Sequence, residues 1–311
     1  MSRRATGLRA AWIIFLLSIG GMSDAASPTG DIWDEVQHHY VDNDGVRIHY
    51  AVLGEGEPVV FVHGFPDFWY SWRHQMATLA PHFKTVAIDT RGYNLSDKPR
   101  NVDDYRMEHL LADVGAVIDD LGVDQVNLVG HDWGGAIAWQ YTMANQARVK
   151  RLIILNLTHP RGYAAVVANA SPEQAANVQY ARNFASSEPK GDPPPDWLFE
   201  MADSRRVPVV AKHYREAFER SYWDGMMNYY RANYGNVADR DSSAIPDITC
   251  PVLQFHGLKD TAVDKDGLRD TWNWVTEDYT LVTVPSAGHF VQWEAGELVS
   301  DTMKWWLLAR Q

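Results

Sequence analysis

Six continuous apolar runs constrain this chain more than any other feature: "PVVFVHG", "TVAIDTRG", "VNLVGHD", "RLIILNL", "PVLQFHG" and "TLVTVPS". A strand with one wet face alternates apolar and polar residues, whereas a strand covered on both faces reads as an unbroken apolar run. Helix-like stretches such as residues 108–121 and 135–145 lie between the runs, and a helix is the usual crossover between parallel strands. The expected class is therefore α/β, a mostly parallel central sheet flanked by helices. Ahead of it, "HHYVDND" and "VRIHYAVLG" do alternate and read as a strand pair turning at residues 43–45.

The regularity breaks over residues 159–245. This stretch has no strand run, contains the proline cluster "KGDPPPDW", and is aromatic-rich, as in "SYWDGMMNYYRANY". Those rings need apolar surface to cover, which makes the segment a helical cap, or lid, inserted into a core formed by residues 31–158 and 246–311.

At 311 residues and 46% hydrophobic side chains, the chain can bury one large core. Its 40 acidic residues against 28 basic ones, with no basic stripe, exclude a nucleic-acid partner. The N-terminus differs from the body: Arg3, Arg4 and Arg9, an uncharged run over residues 10–21, then small residues ending at Ala25. That order reads as a secretory signal peptide over residues 1–25, and the run is shorter than the roughly 20 residues a spanning helix needs. The expectation is export to the periplasm or medium, with no stable membrane insertion once the leader is cut; an uncleaved leader acting as an anchor is the alternative. Cys250 is the sole cysteine, so no intrachain disulfide forms, and its apolar setting suggests a buried, inert thiol.

The chemistry centres on "LVGHDWGG", residues 128–135. An apolar strand enters a sharp turn flanked by Gly130 and Gly134, and a helix follows, so the turn lifts the intervening side chain out of the sheet. Nucleophilic serines commonly occupy that position; here it is Asp132. A serine attacking saturated carbon would form an ether that the site could not hydrolyse, whereas aspartate forms an ester that water can cleave. Asp132 therefore points to displacement at sp³ carbon through a covalent alkyl-enzyme ester. Downstream, Asp260 and His289 each fall just past a strand run, in the order nucleophile, acid, histidine. His289 is the expected general base on water, oriented by Asp260 with Asp264 and Asp266 as nearby substitutes. The backbone N–H groups of Phe65 and Trp133 are the candidate oxyanion donors, while His63 reads as a structural hydrogen-bonding residue. No zinc-ligand spacing or phosphate-binding glycine loop is present, so neither metal nor organic cofactor is expected.

Four separated segments, "HGFPDFWYSWRHQM", "RGYNLSDKP", "GHDWGGAIAW" and "SAGHFVQWE", resemble the epoxide hydrolases of the α/β-hydrolase superfamily over the whole core, with scattered matches in the cap. The resemblance implies the α/β-hydrolase fold, a small-molecule epoxide and water as reactants, a vicinal diol as product, and two cap tyrosines that grip the epoxide oxygen. "NYYRA" points to Tyr230, with Tyr229 as its competitor, and "QYARNF" points to Tyr180. An opening epoxide generates an alkoxide, a poor leaving group that needs a phenolic donor; a departing halide does not.

Haloalkane and haloacetate dehalogenases share the aspartate turn and form the rival enzyme reading, in which Trp133 could donate its indole N–H to halide. Phe65 stands where many haloalkane dehalogenases carry asparagine, and "WGGA" lacks the arginines suited to a haloacetate carboxylate. A ligand-binding protein that kept the pocket is the non-enzyme alternative. The sequence assigns no oligomeric state.

Overall fold

The computed structural model describes residues 31–204, 207–236 and 244–311. The leader expected over residues 1–25 lies outside them, as do two short parts of the cap segment.

The alternating N-terminal segments form an antiparallel hairpin, β1 (Gln37–Asn43) and β2 (Val46–Leu53). Its two turn residues, Asp44 and Gly45, both have positive φ, the backbone twist that matches paired strands in a two-residue loop. The apolar runs become β3 (Pro58–Val62), β4 (Lys84–Ile88), β5 (Val126–His131), β6 (Val149–Leu155), β7 (Val252–Gly257) and β8 (Tyr279–Val284). The eight-stranded sheet runs β1-β2-β4-β3-β5-β6-β7-β8, and β3 to β8 are mutually parallel. Every residue of β3, β5 and β7 is buried, the two-faced cover that their unbroken apolar runs require. The run "TLVTVPS" differs. It lies at the sheet edge, and β8 is largely half-buried or exposed because only β7 pairs with it.

On the core, α1 (Arg73–Leu79) follows β3, α2 (Met107–Asp120) follows β4, and α3 (Trp133–Ala144) follows β5. Between β6 and β7 the described residues hold α4 (Pro160–Ala168), α5 (Pro172–Asn177), α6 (Gln179–Ala185), α7 (Asp196–Asp203), α8 (Pro208–Arg220) and α9 (Trp223–Asn233). Local chemistry starts several of these. Proline occupies the first turn of α4, α5 and α8, where no amide donor is missed, and Ser171 and Gln174 form a reciprocal capping box on α5. The chain then returns through α10 (Val291–Glu294) to α11 (Gly296–Leu308), which packs on α1 as α2 packs on α3. Among the described residues no helix is long and apolar enough to cross a membrane. Cys250 is buried, and burial pushes its thiol up to about 12, which leaves it protonated and unreactive at neutral pH.

Buried polar contacts join the helical insertion to the core. Asn233 of α9 accepts the Met107 N–H at 2.9 Å and donates to the Tyr105 carbonyl at 2.8 Å. Within the insertion, Asp224 pairs with Arg231 at 3.0 Å and also accepts the Gly191 N–H, which fixes the start of the proline-rich loop. On the core side, Arg91 makes a bidentate pair with Asp113, both bonds at 2.7 Å and both side chains almost fully buried. Asn43 of the hairpin also donates to Asp113, at 2.7 Å. Removing one partner of such a pair strands a charge in apolar surroundings. Asp113→Ala should therefore cost about 3–5 kcal/mol in urea unfolding; a loss well under about 1 kcal/mol would show that water readily solvates Arg91 at that site.

Candidate active site

Asp132 occupies the N-cap position of α3 at the end of β5, with φ 51° and ψ −122°. Non-glycine residues rarely adopt that conformation, and here the surroundings enforce it. A Cβ on Gly134 would lie 2.0 Å from the Val62 carbonyl oxygen, and one on Gly64 would lie 2.4 Å from the Asp132 Cβ. Only hydrogen at both positions lets β3, the turn and α3 close around the carboxylate.

The carboxylate meets three donors. The Phe65 N–H donates to Oδ1 at 2.7 Å, the Trp133 N–H also hydrogen-bonds the group, and His289 Nε2 lies 3.5 Å from Oδ2. Burial acts to raise the pKa of Asp132, but the His289 hydrogen bond and charge, with smaller help from His131 and the Trp133 N–H, outweigh it and hold the carboxyl below its usual range. The side chain is thus an anion in a site 13% exposed. Both sequence-derived oxyanion donors face this one group.

His289, 8% exposed, donates from Nδ1 to Asp260 Oδ2 at 2.9 Å. Burial opposes a charge on the ring, yet Asp260 and Asp132 on either side raise its pKa well above the ordinary value. Asp260 is the acid that reaches it. Asp264 instead accepts from Gln174 and from the Asp266 N–H, and Asp266 pairs with Arg269. Asp260 accepts further bonds from Asn156 Nδ2 at 2.7 Å and from the N–H groups of Ala262 and Val263 at 2.8 and 3.0 Å. Burial acts against ionisation, but His289 and these donors bring its pKa to about 2. His63 is tied to backbone, donating to the Gly64 carbonyl and accepting the Thr90 N–H.

Sequence reasoning missed the supports. His131, one residue before Asp132, is fully buried, donates to the His289 carbonyl at 2.8 Å and accepts from Gln292 at 3.2 Å. Burial, reinforced by the charge of His289, pushes its pKa down to about 4, so it acts as a neutral clamp on the loop carrying His289. Its place inside "GHDWGG" was the one available signal. Asn156, at positive φ, links Asp260 to the Gly288 carbonyl at 3.1 Å.

A cavity of about 130 Å³ opens above Asp132 and Trp133, with Tyr163, Tyr180, Tyr230 and Tyr234 in its wall. The Tyr180 and Tyr230 hydroxyls hydrogen-bond each other, and the Trp133 side chain hydrogen-bonds Tyr230. Tyr180 exposes 38% of its surface, yet its hydroxyl end points inward, and burial followed by the Asp132 charge raises its pKa. Burial, with the Tyr180 and Asp132 charges, likewise raises that of Tyr230. Both phenols therefore keep their protons at neutral pH. Tyr229, adjacent in sequence, donates to the Arg91 carbonyl at 2.8 Å and does not line the cavity. Tyr163 and Tyr234, hydrogen-bonded to each other, were not singled out from sequence. Among the described residues no group of three His, Cys, Asp or Glu side chains is placed to hold a metal.

Comparison with known proteins gives consistent findings. The alpha/beta hydrolase fold family matches residues 57–296. Epoxide hydrolase 4 of Mus musculus is 42% identical over 287 residues, covering 85% of this chain and 77% of that protein. Epoxide hydrolase 1 of Caenorhabditis elegans is 29% identical over 294 residues, covering 88% and 70%. Among solved structures, a Bacillus megaterium epoxide hydrolase in complex with an inhibitor superposes with a TM-score of 0.79 at 27% identity, covering 88% of this chain and all of that one.

The two carboxylates flanking His289 give its proton a measurable link to stability. A histidine whose pKa is higher folded than unfolded adds stability that is complete below about pH 6.5 and is lost as pH rises through the folded value. The Tm advantage of the wild-type protein over His289→Gln should therefore shrink between about pH 6.5 and 9. An advantage that stays constant over that range would mean the ring is not held protonated.

Proposed function

The chain belongs to the epoxide hydrolases of the α/β-hydrolase superfamily, and from that premise we propose that it opens an epoxide to a vicinal diol through an ester on Asp132. The observation that carries this reading is an ionised carboxylate, held by two backbone N–H groups, facing a pair of protonated phenols across one cavity.

In the first step Tyr180 and Tyr230 donate hydrogen bonds to the epoxide oxygen. Oδ1 of Asp132 is engaged by the Phe65 N–H, which leaves Oδ2 to attack a ring carbon. The carbon–oxygen bond breaks, a phenol transfers its proton to the alkoxide, and an ester forms. Proton donation of this kind contributes about 10²–10⁴-fold.

Esterification also removes the Asp132 charge that helps hold the proton on His289. The ring releases that proton, which restores the phenol, and Nε2 becomes free to act as base. It takes a proton from water as the water oxygen attacks the ester carbonyl, and the charge gathering on Oδ1 meets the N–H groups of Phe65 and Trp133. On collapse the proton left on the added hydroxyl passes to the departing alkoxide oxygen, which frees the diol and returns Asp132 as a carboxylate, so water is the only other net reactant. Asp260 keeps the imidazole oriented throughout.

The dehalogenase alternative gains no comparable support. The Trp133 side chain is already engaged by Tyr230, and a halide has no use for two phenolic donors. Export forms part of the same proposal and rests on the composition of residues 1–25; N-terminal sequencing of the mature protein tests it.

Two variants separate the half-reactions. With His289→Gln and excess styrene oxide, intact-protein mass spectrometry should show a stable adduct that maps to Asp132. An absence of adduct across a broad epoxide panel counts against the ester. Tyr230→Phe should slow adduct formation by about 10²-fold or more in single-turnover mixing; an unchanged rate would remove that phenol from the ring-opening step.

A further inference from the structure

The turn that aims the Phe65 N–H has few handles of its own. It reads Gly64-Phe65-Pro66-Asp67, in which glycine has no side chain and proline has no N–H. The Asp67 N–H closes the turn on the Gly64 carbonyl, and His63 Nδ1, just past the end of β3, donates to the same oxygen, each at 2.9 Å. Asp67 carries the turn's one polar side chain. It is fully buried, and its Oδ1 accepts the hydroxyl of Tyr214, also fully buried, at 2.9 Å.

Tyr214 does not belong to the core. It lies in α8 of the insertion, its ring edge-on to Phe68 at 5.0 Å and to Phe218 at 5.8 Å. The neighbouring residue anchors the same helix, since His213 stacks on Trp33 at 3.6 Å with the rings 4° from parallel. A hydrogen-bonded path thus runs from α8 through Tyr214 and Asp67 to the Gly64 carbonyl, and one residue further is the N–H held 2.7 Å from Asp132 Oδ1.

We infer that Tyr214 is a positioning residue: acting through Asp67, it fixes the turn that presents the Phe65 N–H, so that seating of the cap sets oxyanion stabilisation at Asp132. The inference rests on the ester mechanism proposed above. Its physical basis is that an oxyanion donor works by being held in place before charge develops; a donor free to move a few tenths of an ångström must be reordered during each turnover. The hydrolysis half-reaction, in which charge builds on Oδ1, should feel the loss more than ring opening does.

Tyr214→Phe deletes the hydroxyl and keeps the ring. In rapid-quench single turnovers with styrene oxide, ester breakdown should slow by about tenfold while ring opening changes by less than about threefold, so the alkyl-enzyme accumulates. Asp67→Asn, which retains an oxygen acceptor for the tyrosine, should stay near the wild-type partition, and Asp67→Leu should reproduce the Tyr214→Phe pattern. Amide hydrogen exchange followed by NMR gives a readout that needs no turnover. In Tyr214→Phe the Phe65 amide should exchange faster by about tenfold while the β3 amides keep their protection. Equal slowing of both half-reactions, or unchanged protection at Phe65, would overturn the inference and leave Tyr214 as a packing residue. A wild-type protein that forms no ester would instead sink the proposed function, and the exchange measurement would still decide for or against the turn-fixing role.

Discussion

The site depends on one carboxylate held where a carboxylate is costly to place. Asp132 stands on a turn with positive φ, largely removed from water, and burial alone would favour its neutral form. Two backbone N–H groups and a protonated imidazole reverse that preference. Neither support is optional. The amides come from turns that close only because Gly64 and Gly134 have no side chains, and the imidazole keeps its proton because Asp260 stands behind it. The sheet brings these parts together by placing β3, β5, β7 and β8 so that their following loops converge.

The same arrangement gives Asp132 and His289 a shared electrostatic state. While Asp132 is ionised, His289 lies between two anions and holds its proton. In the proposed mechanism, converting one anion to an ester would leave a single carboxylate beside the ring and favour release of the proton, so that His289 would become available as a base when there is an ester to hydrolyse. A serine in this turn would not produce that coupling, because its resting hydroxyl carries no charge to lose.

Much of the core was legible in the sequence because covered strands have a simple signature. β3 and β5 follow their apolar runs within a residue or two, and the expected helix over residues 108–121 is Met107–Asp120. The edge strand β8 was misread in burial, since its run looks much like those of central strands and only the neighbour count sets them apart. Chain order and strand ends brought Asp132, Asp260 and His289 to notice, and the structure places the three in one hydrogen-bonding line. Tyr229 and Tyr230 could be separated only by orientation: one turns to the Arg91 carbonyl and the other into the cavity. His131, Gln292, Asn156 and Tyr214 escaped sequence reasoning for a common reason. Each acts through a bond to a residue from 104 to 161 positions away in sequence, and such partnerships exist only once the chain has folded.

Whether Asp132 carries the reacting oxygen is most directly tested by single-turnover hydrolysis, with enzyme in excess over epoxide, in ¹⁸O-labelled water. The account predicts an unlabelled first-turnover diol and one ¹⁸O atom in the Asp132 carboxylate, because the diol takes its new oxygen from the protein and water replaces it. A labelled diol in that first turnover, with Asp132 unlabelled, would mean that water attacks the epoxide itself and would contradict the central claim.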